Sequence, residues 1–151
     1  PNEILDKPAR LTDEEMALMQ DHVRIGARIL EPISAYREQI PAVLYHHERW
    51  DGSGYPDGLS GIGIPFHARI LGVVDVFDAL SSSRPYRAPW PRERVLGFIH
   101  DGAGSHFDPE IATAFLAMMD EVADLREDVA AGLGSEPRVA GVLVGAGRSQ
   151  E

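Results

Sequence analysis

His46 and His47 are adjacent, and imidazole nitrogen is a common metal ligand. Neighbouring residues on a helix point ~100° apart, so such a pair in mid-helix does not readily serve one small ion. It suits two neighbouring ions, or an ion and a bridging group, which favours a multi-metal site over a single zinc. Taken alone, the pair reads more plainly as one packed and one solvated histidine. Asp75 lies between Val74 and Val76 in an apolar stretch, where a carboxylate is costly unless something neutralises it. The partner is an arginine, a helix N-terminus or a cation. Asp78, nearly one turn on, can orient a histidine or cap a backbone donor. His22 by itself reads as a satisfied core histidine. Beside the other residues it completes a histidine and carboxylate set, which suits iron, manganese or zinc better than calcium.

Arg84 and Arg87 flank Pro85-Tyr86 just past this apolar stretch. Guanidinium groups bond phosphate in bidentate fashion and stack on or read guanine. A solvated pair, or one arginine tied to an acidic neighbour, is the competing reading. The rigid proline and the aromatic neighbour favour ligand contact. Together these groups suggest a metal site facing a phosphate site. His67, His100 and His106 lack such company and read as structural or exposed.

The elements that must hold these residues are helical. Thr12 and Glu15 form a capping box, so a helix starts near Asp13. Met16, Met19, Val23, Ile29 and Leu30 recur along it at helical spacing until Pro32 ends it. Gly26 leaves room for another group one turn after His22. Pro41 opens a second helix to about Arg49, with His46 and His47 in its last turn. Residues 51–65 hold too much Gly and Pro for helix and read as an ordered loop. Phe66 to Ser82 is the next helix, apolar on nearly all sides between Ile70 and Leu80, hence central to the core. Further helices run from Arg92 to Ala103, and onward from Pro109 with Asp108 as cap. No strand is expected before residue 137. From about residue 126 the chain is rich in Ala and Gly and reads as a loosely ordered tail, with Val139 to Val144 as the one candidate strand.

At 151 residues the chain suits one domain with a single core. A formal charge of −10 argues against coating a nucleic acid polymer, though not against a small phosphate ligand. There is no cysteine, so no disulfide and no thiolate metal site. No apolar run is long enough to span a membrane and no signal peptide is visible, so a cytoplasmic place is expected. The chain begins at Pro1 rather than Met, and is expected to be a piece of something longer.

HHERWDGSGYPDGL, IPFHARILGVVDVFDALSSSRPYR and GSHFDPEI resemble the HD-GYP family, a branch of the HD-domain metal phosphohydrolases that degrades cyclic di-GMP. The likeness covers about residues 1–120, so residues 1–125 are assigned to an HD-GYP portion and 126–151 to the tail. Gly54-Tyr55-Pro56 is the GYP element. The resemblance implies an all-α helical bundle, incomplete at its N-terminus, around two or three divalent ions (Fe, Mn or Zn). It implies that His22, His46, His47 and Asp75 are metal ligands and that Arg84 and Arg87 contact the cyclic dinucleotide. Tyr55 is then either beside the site or part of a surface for a signalling partner.

The family's His-Asp dyad, and the lysine after it, are absent from the segment that starts at Pro1, so the catalytic residues themselves are not assigned. The implied reaction is in-line attack of water on phosphorus, with metals and arginines absorbing the charge. It yields pGpG and, in some members, GMP. With about half of the expected metal shell, the chain alone is expected to be inactive or weak, with apolar surface near Asp75 that invites homodimerisation. A non-catalytic module that binds cyclic di-GMP or a partner is the alternative.

Overall fold

The computed structural model describes residues 4, 7, 9–83 and 87–132, with side chains as far as residue 125. Arg84 and the Pro85-Tyr86 pair, and the candidate strand at residues 139–144, lie outside the described residues. Among the described residues the bounded α-helices are, in order, α1 (Asp13–Gln20), α2 (His22–Leu30), α3 (Ile40–Tyr45), α4 (Phe66–Ser81), α5 (Arg92–Asp101) and α6 (Pro109–Gly132). Single 3-10 turns, Ser34–Tyr36 and Gly61–Gly63, interrupt the connections. Among the described residues there is no strand, and the fold is all-α. No described helix is long and apolar enough to cross a membrane.

Two compact units are present, Pro1–Met118 and Met119–Glu151. In the first, consecutive helices pack on one another from α1 to α5. Val23 and Ala27 of α2, Ala68 and Val73 of α4, Val95 and Ile99 of α5, and Phe107, Ala112 and Phe115 form its buried core. In the second, residues 119–132 are helical, so helix runs into the stretch expected as tail.

Local chemistry explains most boundaries. The Thr12 side chain accepts from the Glu15 amide while the Glu15 carboxylate accepts from the Thr12 amide, the reciprocal capping box. The expected single helix up to Pro32 is instead two. Asp21 stays near helical geometry at φ −68°, ψ −13°, and its amide still reaches the Ala17 carbonyl. The chain therefore bends there rather than unravelling, and His22 starts the new helix. Asp108 Oδ1 accepts from the Glu110 and Ile111 amides at 2.8 and 3.4 Å, capping α6 as expected.

Asp108 has a second task. Its other oxygen pairs with Arg69 Nη1 at 2.5 Å, and Arg69 Nε donates to the Ile64 carbonyl at 3.0 Å. The carboxylate is 3% exposed, so this ion pair is buried and pins the start of α6 to α4. The α4 helix is less enclosed than its apolar sequence implies. Ala68, Val73 and Leu80 are buried, but Phe66, Ile70 and Val74 are exposed. Both α3 and α5 pack on α4, and Ile70, Leu71 and Val74 of α4 border an open groove with Ala42 of α3.

Candidate metal site

His22 is the first residue of α2, and its Nδ1 lies 2.7 Å from the Met19 carbonyl oxygen. A carbonyl only accepts, so Nδ1 carries a proton, which in the neutral ring is the tautomer with the lone pair on Nε2. His46 repeats the device: Nδ1 donates to the Val43 carbonyl at 2.8 Å. Each ring is thus tied by Nδ1 to the carbonyl three residues before it, which leaves Nε2 as the nitrogen not used in that bond.

The pair does not sit inside a helical turn. The α3 helix stops at Tyr45, His46 is its C-terminal cap, and His47 lies in the turn beyond. The argument that adjacent rings must diverge by a helical angle therefore does not apply. The His46 and His47 ring centroids are 4.1 Å apart, and His22 is 5.7 Å from His46 and 5.0 Å from His47. One nitrogen from each of the three lies within 4.8 Å of the others. The three nitrogens are therefore candidates for a shared ion as well as for neighbouring ions.

Two glycines permit this approach. A Cβ on Gly26 would come within 3.1 Å of Val43 Cγ1, so α2 and α3 meet closely there, as Gly26 suggested. A Cβ on Gly72 would lie 2.8 Å from the His46 carbonyl oxygen. Glycine at 72 thus lets the α4 backbone sit against the turn that carries His46. Nothing in the sequence singles out Gly72, because its neighbour arrives from a distant segment.

The Gly-Tyr-Pro turn covers the pair from another side. A Cβ on Gly54 would lie 2.4 Å from the Arg49 amide nitrogen and 2.6 Å from the His47 carbonyl oxygen. The Tyr55 amide donates to that carbonyl at 3.2 Å, and the Tyr55 ring sits 4.9 Å from the His47 ring, tilted by 32°. Burial pushes His47 down to about 4, the nearby His46 adds to this, and Asp75 opposes it. Burial and then the Asp75 charge push the Tyr55 phenol up to about 12. At neutral pH His47 is therefore uncharged and has a lone pair to offer without losing a proton. Asp75, half-buried on α4, acts electrostatically on both His47 and Tyr55 yet falls outside the 4.8 Å set of nitrogens.

The remaining candidates lie elsewhere or do other things. Asp78 is exposed and accepts from the Ser82 hydroxyl at 3.4 Å, at the end of α4. Arg87 donates through Nη2 to the Ala79 carbonyl in the last turn of α4. Its guanidinium also lies 5.9 Å from the Trp90 ring, and Trp90 donates to the Leu80 carbonyl at 2.9 Å. A cation on the last carbonyls of a helix is favourably placed. His106 is stacked on Phe107 at 4.2 Å, and its carbonyl accepts from Trp50, a structural role. His67 and His100 are exposed. Sequence reasoning passed over Glu48 and Asp57, whose contacts depend on how the loop folds back.

Three imidazole nitrogens, with the Asp75 carboxylate acting electrostatically on His47, form a borderline donor set. It fits a divalent ion such as zinc, iron or manganese.

This all-α arrangement has known counterparts. A family model described as HD domain matches residues 1–111. The chain is 47% identical over 118 residues to a cyclic di-GMP phosphodiesterase response regulator of Xanthomonas campestris, covering 77% of this chain and 31% of that protein. It is 44% identical over 127 residues to a cyclic di-GMP phosphodiesterase of Thermotoga maritima, covering 83% and 34%. A 3'3'-cGAMP-specific phosphodiesterase of Vibrio cholerae is 40% identical over 128 residues, covering 83% and 24%. The crystal structure of a cyclic GMP-AMP specific phosphodiesterase of V. cholerae shares the fold, with a TM-score of 0.59 at 22% identity over 74% of this chain and 25% of that one. The chain belongs to the HD-domain family, in its HD-GYP branch. It spans about a third or less of the length of these curated relatives.

Proposed function

We propose that this chain is part of a cytoplasmic, metal-dependent phosphodiesterase that opens cyclic di-GMP to pGpG, and further to GMP in a second step. The observation that carries the reading is the convergence of His22, His46 and His47, from two separate segments, to within 4.8 Å in a chain of this family. Cyclic di-GMP is favoured over 3'3'-cGAMP because the Xanthomonas and Thermotoga relatives, at 47% and 44% identity, exceed the Vibrio cGAMP relative at 40%.

In this reading His22, His46 and His47 hold the metal through nitrogen, and Asp75 adds a carboxylate oxygen to a centre of two or three ions of iron, manganese or zinc. A bound divalent cation would make a water more acidic and offset negative charge developing on the phosphoryl oxygens. The residues of this chain do the rest. The Met19 and Val43 carbonyls hold the His22 and His46 rings in the tautomer that leaves Nε2 free. Tyr55 shields one flank of His47 from water. Arg84, and Arg87 through the guanidinium donors not bound to the Ala79 carbonyl, would meet the phosphate or guanine of the substrate. The Gly54-Tyr55-Pro56 surface is the proposed contact for a signalling partner, and the open side of α4 for a second copy.

Four side-chain ligands are few for two or three ions, so the chain alone is expected to hydrolyse weakly or not at all. The test measures pGpG release from cyclic di-GMP, with 3'3'-cGAMP beside it, for this chain and for the chain joined to whatever precedes it in its reading frame. The longer protein should hydrolyse cyclic di-GMP with added manganese, iron(II) or zinc. His46→Ala should lower that rate by more than about tenfold, since loss of even a ligand's supporting contact has that effect. Hydrolysis indifferent to His46→Ala or to a chelator would reject the reading.

A further inference from the structure

We infer that the turn Gly54 to Asp57 clamps the three histidines into register, with Asp57 and Glu48 as positioning residues. This rests on the reading that those histidines hold a metal. Tyr55 donates its amide to the His47 carbonyl at 3.2 Å. Asp57 donates its amide to Glu48 Oε1 at 2.7 Å. Asp57 Oδ1 accepts from Arg24 at 2.7 Å, and its Oδ2 accepts from the Tyr45 hydroxyl at 3.2 Å. Arg24 also reaches the Pro56 carbonyl at 3.2 Å. Arg24 is two residues after His22, Tyr45 is the residue before His46, and Glu48 is the residue after His47. Each of these anchors is thus a ligand or lies within two residues of one. One four-residue turn ties the α2 segment to the segment that follows α3.

The bland alternative is a surface ion pair that merely finishes a loop. Burial separates the two readings. The Arg24 and Asp57 side chains are 43% and 40% exposed, and such a pair adds little to global stability. Glu48, in contrast, is 7% exposed and accepts a backbone N–H at short range, an arrangement that fixes geometry. The Gly54 backbone is also packed directly on residues 47–49, with no room for a side chain. A buried anchor, a closely packed glycine and an exposed two-pronged tie together constrain the separation of His22 from His47. Breaking the exposed tie should therefore disturb the ligand set more than the fold.

The experiment uses zinc alone as probe and this chain as it stands. Zinc affinity is measured by competition with a chelator, and proximity by proton NOEs between the His22 and His47 rings in the metal-free protein. Asp57→Ala should weaken zinc binding by about tenfold and diminish the NOEs, with helix content retained. Arg24→Ala, at an exposed position that does not threaten folding, should weaken zinc binding by roughly two- to fivefold. Glu48→Ala, which removes the acceptor of the Asp57 amide, should also weaken zinc binding and diminish the NOEs. Unchanged zinc affinity in both Asp57→Ala and Arg24→Ala, or weakened affinity with the NOEs intact, would overturn the clamp. If the parent binds no zinc, the metal reading fails, and the NOEs still decide: their loss in Asp57→Ala supports the clamp and their persistence overturns it.

Discussion

His47 carries most of the electrostatic consequence of this arrangement. Its fold-bound proton affinity is depressed to about 4, against an ordinary 6.5, chiefly by burial. Between those values the unfolded chain holds more protons than the folded one, so stability rises with pH across that window. The contribution is complete above about 6.5 and is lost as pH falls toward 4. His106, also depressed by burial, acts in the same direction. The metal-free chain should accordingly melt at progressively lower temperature from pH 7 to pH 4, and His47→Gln should flatten that slope. An equal slope in the variant would show that His47 is not the group responsible. Gly72→Ala is a second test at this scale. Its Cβ would meet the His46 carbonyl oxygen at 2.8 Å, and forced overpacking of this sort costs about 1–3 kcal/mol. Chemical denaturation should show that loss, and unchanged stability would mean that α4 has slack against His46. The residue types at the site were legible in the sequence. The convergence of the three histidines was also expected; what was not legible is where α3 ends, because His46 still sits at φ −67°, ψ −12° with no glycine or proline to mark the stop.

Elements with explicit stop and start chemistry were the ones the sequence specified best. Thr12 with Glu15, and Asp108 before Pro109, are local signals whose partners lie within three residues, and both caps form. The bend at Asp21 carries no comparable signal, since its backbone remains near helical. The Arg69–Asp108 pair was invisible for another reason: its members are 39 residues apart. Removing one partner leaves a buried charge uncompensated, at a cost of about 3–5 kcal/mol. Arg69→Ala should destabilise the chain by about that much in urea denaturation, because Asp108 is 3% exposed and cannot recover water cheaply. A loss below about 1 kcal/mol would place the pair in the class of solvent-screened surface contacts. The apolar face of α4 shows the limit of reading burial from composition. Ile70 and Val74 are as apolar as the buried Val73, yet they are exposed, because burial depends on which neighbours pack there.

At the scale of the whole molecule, the fold brings three imidazoles from two segments to one place, within 4.8 Å of one another. A ligand that binds only the folded state raises its stability by mass action. Zinc at a concentration 100 times its Kd should therefore add about 2.7 kcal/mol to the unfolding free energy, and a chelator should remove it. The most direct measurement of the central claim is anomalous diffraction from crystals of this chain grown with zinc, recorded on both sides of the zinc absorption edge. The account predicts a peak about 2.0–2.1 Å from one nitrogen each of His22, His46 and His47. A zinc peak at other residues, or none near these three rings while the protein is folded, would contradict it.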